Sequence, residues 1–338
     1  MLTRIVLVLL LLLPSAAVAQ ELDAAVSALV RISGTRDGAP VRGSGFVVGL
    51  GPDWATIVTA SHVIEGIQQI QVTFSADATQ SFPAGSTLGM DAGNPNGLAV
   101  FQIRGALPAG ITVLSFEGEQ QPHPGDILLV LGFSQMETAP RLTQRMLSAW
   151  RGALLLIDLA SGEGFSGGPV LQRGKVVGVV TGTDDQTTYA VSAVVARVSM
   201  EGWRVSLGMK SGTPVTTSPA KPVPEPEART QPNHESSIDW LGLQLEDLTA
   251  ELRQGRHIPS SLHGVVVTDV PPTSPLYEQL VRPGDIITEV NGEEKPTVGD
   301  FEKAVKNARP RSYLRFYVLR TGPGDKTTPF FAVVGVPQ

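Results

Sequence analysis

Gly162-Glu163-Gly164-Phe165-Ser166-Gly167-Gly168-Pro169 is the stretch on which the reading of this 338-residue chain turns. One serine stands among four glycines, with a strand-like apolar run before it (Ala153 to Leu159) and another after it (Lys175 to Thr181). Glycine at that density is costly to order unless the backbone must turn sharply or take positive φ. One use of such a turn is to expose a hydroxyl and aim backbone N–H groups at a point beside it. That is a nucleophile with its oxyanion hole attached. A Gly-rich hairpin produces the same local pattern, so the choice rests on the rest of the chain.

The amino terminus reads as a secretory signal peptide over residues 1–19. Arg4 supplies the positive region, Ile5 to Leu13 the apolar region, and Ala17-Val18-Ala19 a small-residue cleavage site. The apolar run is short for a membrane span; an uncleaved anchor is the alternative. The chain has no cysteine. An exported protein without disulfides depends on its apolar core, which fits a bacterial periplasm, or a secreted location, better than a small extracellular scaffold. The net charge is −6, with no long Lys/Arg run, which argues against nucleic acid as a partner. No ligand cluster or phosphate loop calls for a metal or other cofactor.

Short apolar runs broken by Gly, Pro and Asp read as strands from Ala28 to Ser33, Val41 to Gly49, Ala55 to Thr59, Ile70 to Phe74 and Leu98 to Ile103. A second set runs over Ile127 to Leu131, Thr143 to Trp150, Ala153 to Leu159, Pro169 to Leu171, Val176 to Thr181 and Thr188 to Val191. Two such sets predict a sandwich or a pair of barrels. Val194 to Leu207 has near-helical apolar spacing and closes the unit. Between Ser211 and Ser236 six prolines stand among Thr, Ser, Lys and Glu, the composition of a semi-rigid linker that reaches about 80 Å at ~3.1 Å per residue. Beyond it Trp240 to Leu245, Gly264 to Val270, Asp285 to Val290, Tyr313 to Leu319 and Phe330 to Val336 read as strands. Asp300 to Ala308 reads as a helix and Asn291-Gly292 as a hairpin turn. The expected organisation is a signal peptide over 1–19, a first domain over 20–210, a linker over 211–236 and a second domain over 237–338.

His62 follows directly on the Ala55 strand in Thr59-Ala60-Ser61-His62-Val63. A histidine at a strand-to-helix corner projects its imidazole from a rigid edge. Alone it reads as a surface or capping residue, as His123 does in Pro122-His123-Pro124. With Ser166 in the other half of the two-barrel pattern, it becomes a candidate general base.

Gly43-Ser44-Gly45-Phe46-Val47-Val48, Thr59 to Val63, Leu98-Ala99-Val100 and Gly164 to Pro169 occur in that order. Together they resemble the chymotrypsin-like fold in its HtrA/Deg form. Leu241-Gly242-Leu243, Gly264 to Val267, Ser274-Pro275-Leu276, Arg282 to Ile287 and Val290-Asn291-Gly292 resemble a PDZ domain of that family. The resemblance implies a mainly β fold, a chymotrypsin-like double β-barrel followed by a linker and an α+β PDZ domain. It implies Ser166 as nucleophile, His62 as its base, and the amides of Gly164 and Ser166 as the oxyanion hole. The PDZ residues Leu241, Gly242 and Leu243 would receive an extended peptide by its main chain and C-terminal carboxylate.

One position departs from the family. Where it places an aspartate before the Leu-Ala-Val strand, this chain has Gly97. Asp91 is the candidate orienting acid, Asn94 and Asn96 are nearby amides that could hold the imidazole instead, and all three also read as turn residues. Losing the acid lowers kcat about 10⁴-fold in well-characterised triads. Two readings therefore stay open: an exported serine endopeptidase acting on unfolded or mislocalised proteins, and a catalytically impaired peptide-binding scaffold. The resemblance also raises a homotrimer, which the segment Ala25 to Val30 weakens by lacking aromatic residues. Gly132 to Pro140 and Thr181 to Thr188 stand where the family has its activation and specificity loops.

Overall fold

The computed structural model describes residues 16–118, 120–134, 137–158, 164–184, 186–205, 239–256, 258, 262–295, 297–310, 312–321 and 327–337. Most of the expected signal peptide, Gly162 and Glu163, the Pro-rich linker and the end of the Val194 helix lie outside these residues. The chain forms two compact units, Met1–Gly208 and Met209–Gln338.

The first unit opens with α1 (Ala16–Ser27), which runs across the expected cleavage point after Ala19. Seven antiparallel strands follow: β1 (Leu29–Arg36), β2 (Ala39–Leu50), β3 (Trp54–Ala60), β4 (Gln68–Phe74), β5 (Asp77–Pro83), β6 (Thr87–Met90) and β7 (Leu98–Arg104). A short helix, α2 (Ser61–Ile64), follows β3 directly. The strand order is β5-β4-β1-β2-β3-β7-β6. The segment after β5 draws the two sides of this sheet together: the Ala84 amide donates to Ile70 O on β4 (3.0 Å) and the Gly85 amide to Gln102 O on β7 (2.9 Å). Alternate residues such as Val30, Ile32, Val47, Ile57, Val72, Phe74 and Phe101 meet inside as one core. β5 carries too little apolar alternation, and β6 is too short at four residues, to be seen in the sequence.

The second half is a closed barrel in the order β10-β13-β12-β11-β8-β9. Its strands are β8 (Ile127–Phe133), β9 (Pro140–Arg151), β10 (Leu154–Asp158), β11 (Pro169–Gln172), β12 (Lys175–Thr183) and β13 (Thr187–Ser192). Leu128, Val130, Leu155, Val170 and Val180 fill it, joined by Phe165 from the serine stretch. α3 (Ala193–Gly202) closes the unit, its Ser192 side chain capping the Val195 amide. Every expected strand of this unit is present within a few residues of its expected ends.

The second unit holds β14 (Gln244–Asp247), α4 (Ala250–Arg256), β15 (Val265–Asp269), α5 (Pro275–Glu278), β16 (Ile286–Val290), β17 (Glu293–Glu294), α6 (Val298–Lys306), β18 (Tyr313–Thr321) and β19 (Thr327–Gly335). The sheet runs β14-β15-β16-β18-β19, with β17 on β16. Asn291 and Gly292 both take positive φ, 55° and 83°, the two-residue turn their identity predicts. The expected strand from Trp240 is corrected. Asp239–Leu241 is a 3-10 turn and the strand begins at Gln244. Leu241 sinks fully into the core, Gly242 turns with φ 63°, and the Ser274 hydroxyl takes the Leu241 carbonyl.

Candidate active site

His62 stands where β3 gives way to α2. The neighbours Ser61, Val63 and Ile64 are buried, and Val63 occupies the space above Gly43, whose added Cβ would lie 2.5 Å from it. The half-buried His62 is left facing outward. Ser61 is tied on both sides of its Cα: its amide donates to Gly97 O (2.9 Å) and its hydroxyl to Asn94 O (3.1 Å). Burial, and then the positive charge of Arg36, hold the His62 imidazole below its usual pKa, with Glu65 pulling the other way. Burial and Arg36 both favour the neutral imidazole, the form a base must have.

The serine stretch is anchored from within and braced from outside. Phe165, 2% exposed, is a plug in the barrel core, a burial worth about 2–3 kcal/mol, and Ser166 follows it toward solvent. Gly164 and Gly167 take φ 98° and 86°. A side chain at Gly167 has no room either: its Cβ would fall 2.1 Å from both Ser44 O and Thr59 Oγ1, and 3.0 Å from the Ala60 amide. The residue after the serine thus packs on the two residues that lead into Ser61-His62. Among the described residues no hydrogen bond joins Ser166 Oγ to the imidazole.

Backbone accounting in the loop is informative. The Gly167 amide donates to Val180 O (2.7 Å) and the Gly168 amide to Phe165 O (2.8 Å). Those of Gly164, Phe165 and Ser166 meet no acceptor among the described residues. Ser44, fully buried, holds the loop: its amide donates to Ser166 O (2.8 Å), its hydroxyl donates to Gly164 O (2.7 Å) and accepts from the Phe133 amide (2.8 Å), and its carbonyl accepts from the Thr59 hydroxyl (2.7 Å). Sequence reasoning placed Ser44 in a family motif but assigned it no task. A small hydroxyl residue between two glycines in an otherwise apolar strand was the available signal.

Around Gly97 the structure answers what fills the place of the missing side chain. A Cβ there would lie 2.5 Å from the Asp91 carbonyl oxygen, 2.8 Å from Asp91 Cβ and 2.8 Å from Ser61 Oγ. Asp91 is thus folded back into the space beside Gly97, its carboxylate accepting from the Leu98 amide (3.1 Å). Asn94, 2% exposed, caps the Asn96 amide with Oδ1 (2.9 Å), and its buried Nδ2 has no partner. The Asn96 side-chain Oδ1 accepts from the Thr181 hydroxyl of β12 (3.2 Å). Among the described residues, neither Asn94 nor Asn96 donates to or accepts from the His62 ring.

In the second unit β14 is an edge strand, paired among the described residues with β15 alone. Its far end is tied to α6, Asp247 Oδ1 accepting from the Val298 amide (2.6 Å). Leu243 and Gly242 lie at its start, next to the buried Leu241. The open edge, rather than the Leu241 side chain, is what an extended peptide would meet.

Residues 43–179 match the trypsin-like peptidase domain and residues 240–328 the PDZ domain. The serine endoprotease DegS of Haemophilus influenzae is 23% identical over 79% of this chain and 70% of its own length. A probable periplasmic serine endoprotease, DegP-like, of Rhizobium meliloti is 24% identical over 63% of this chain, and the chain spans only 40% of that relative. A crystal structure of the serine endoprotease from Yersinia pestis superposes with a TM-score of 0.49 at 19% identity, covering 96% of this chain and 99% of that one. A trypsin-like peptidase domain followed by a PDZ domain makes this chain similar to the HtrA/Deg-like serine proteases.

Proposed function

We propose that this chain is an exported, ATP-independent serine endopeptidase that cleaves unfolded or mislocalised proteins, and that its PDZ domain binds peptide C-termini along the open edge of β14. The observation that supports this most is the loop from Gly164 to Gly168. Its backbone is stapled by Ser44 and by the close approach of Gly167 to Thr59 and Ala60, while its leading amides meet no acceptor among the described residues. His62 takes the proton of Ser166 Oγ as the oxygen attacks the scissile carbonyl. The Gly164 and Ser166 amides receive the oxyanion. Collapse expels the amine, protonated by His62, and water then hydrolyses the acyl ester with His62 again as base. Asp91 is the candidate orienting acid, its carboxylate accepting from the Leu98 amide in this structure.

A fluorophosphonate probe on the full chain, beside Ser166→Ala and His62→Ala, tests the reading. Labelling and casein cleavage by the wild type, both lost in the two variants, is the expected result. No label and intact casein would leave the peptide-binding scaffold, a reading favoured by the absence of a hydrogen bond from Asn94 or Asn96 to the His62 ring among the described residues.

A further inference from the structure

Arg36 has no part in the chemistry above, yet it reaches the element that carries the base. It ends β1 at a tight turn in which Asp37 and Gly38 take φ 51° and 79°. Gly34, two residues earlier on the same face of β1, lies against Ile67, whose side chain would be 2.4 Å from an added Cβ. That face therefore looks toward the end of α2. Across this gap Arg36 Nη2 donates to the carbonyls of His62 (2.6 Å) and Glu65 (2.8 Å). A four-residue helix has carbonyls without intrahelical partners at its end. A cation there satisfies them and sits at the negative end of the peptide dipoles.

We propose that Arg36 is a positioning residue for His62: its guanidinium clamps the carbonyls of His62 and Glu65, fixing the short helix that carries the imidazole and placing a positive charge behind it. The proposal deepens the reading of His62 as the general base and rests on it. The other charged groups around α2 are few. β3 contributes none, Arg42 of β2 lies on the face opposite Gly43 and Val63, and Arg104 of β7 is at the far end of that strand beside Asp53 (3.8 Å). The carboxylates are Glu65, which accepts from the Gly93 amide (2.8 Å), and Asp91. Burial first and Arg36 second hold the imidazole low, and Glu65 opposes them. In a triad an aspartate raises the base; here the group reaching α2 from behind is a cation. The base consequently stays neutral, and the enzyme active, further into acid.

The test uses the full chain with Arg36→Gln, Arg36→Lys and Glu65→Gln. The His62 imidazole is titrated by NMR, assigned by its loss in His62→Gln, and kcat and KM are followed against pH on a peptide substrate. Arg36→Gln is expected to move the His62 midpoint and the acid limb of kcat to higher pH, and to lower kcat on the order of ten-fold with KM unchanged. Glu65→Gln moves the midpoint the other way. Arg36→Lys keeps the midpoint but recovers only part of kcat, because the lysine ammonium falls one bond short of the place from which Nη2 reaches both carbonyls. A Gln variant titrating with the wild type, or a Lys variant shifted as far as Gln, overturns the proposal. Because the NMR midpoint needs no turnover, a wild type that fails to react with fluorophosphonate sinks the catalytic reading while Arg36 is still judged on the titration.

Discussion

Replacing Gly97 by aspartate is the change that a comparison with the family suggests as a repair of the triad. The structure argues for the opposite outcome. An added Cβ at 97 would lie 2.5 Å from the Asp91 carbonyl oxygen and 2.8 Å from Asp91 Cβ and Ser61 Oγ. Two of these three obstacles belong to one residue, and the closest is backbone, which gives way only if the loop moves. The Gly97 amide and carbonyl are also committed, to Asn94 O and to the Ser61 amide, both at 2.9 Å. Overpacking a fitted site costs about 1–3 kcal/mol, and a clash with backbone belongs at the upper end. For a unit of this size about 2–3 kcal/mol corresponds to roughly 5–10 °C in Tm. Gly97→Ala and Gly97→Asp should both melt lower by that amount in a Ser166→Ala background that prevents self-digestion. Gly182→Ala, where an added Cβ meets nothing within 4 Å, should melt within about 0.5 kcal/mol of the parent. Adding Asp91→Gly to Gly97→Asp removes one contact but leaves the carbonyl, so recovery is partial. A Gly97→Asp protein that melts with its parent and turns over substrate faster would show that the space beside residue 97 is open, and the account of Asp91 given above would be wrong.

Three further outcomes follow from the same contacts. Ser44→Ala leaves the Gly164 carbonyl and the Phe133 amide unpaired in a buried place, which should cost about 1–3 kcal/mol and lower kcat more than it raises KM; thermal melts and peptide kinetics read both. The folded state holds His62 below its ordinary imidazole value, so the unfolded chain takes up the proton first. The contribution of His62 is therefore present above about pH 6.5 and is lost as pH falls from there through the folded value; His62→Gln should flatten the slope of Tm against pH in that window. In the second unit Asp285, 2% exposed, accepts from Arg320 Nε (2.8 Å) and Nη2 (2.7 Å) and from the Arg282 amide (2.8 Å). Asp285→Asn should destabilise that unit by about 2–3 kcal/mol in urea while leaving fluorophosphonate labelling of Ser166 unchanged.

Much of this protein was legible in its residues. The alternation of β1 to β4 and β7 to β13, the Asn291-Gly292 turn and the corner at Ala60-Ser61 are local consequences of side-chain period and glycine freedom, so a linear reading reaches them. The ordered motifs around His62 and Ser166 carried the family as well. The misses have local causes. β5 is too polar to alternate visibly, β6, α4 and α5 are short, and the run from Trp240 looked like a strand because Leu241, Leu243 and Leu245 alternate. Its alternation was overridden where Leu241 sinks into the core and Gly242 turns, with the hydroxyl of Ser274, far along the chain, on the Leu241 carbonyl.

The candidate site divides along the same line. Ser166 and His62 advertise themselves, because a glycine-rich turn and a strand-to-helix corner are properties of neighbours in sequence. Who supports them is a matter of contact between residues that the chain keeps far apart. Ser44 grips Gly164 across 120 positions, and Arg36 grips His62 across 26. At Gly97 the sequence showed only that a side chain was missing; folding showed that Asp91 had already taken its space. An absence can be read from a row of letters, but what occupies it depends on packing, and packing exists only once distant segments have met.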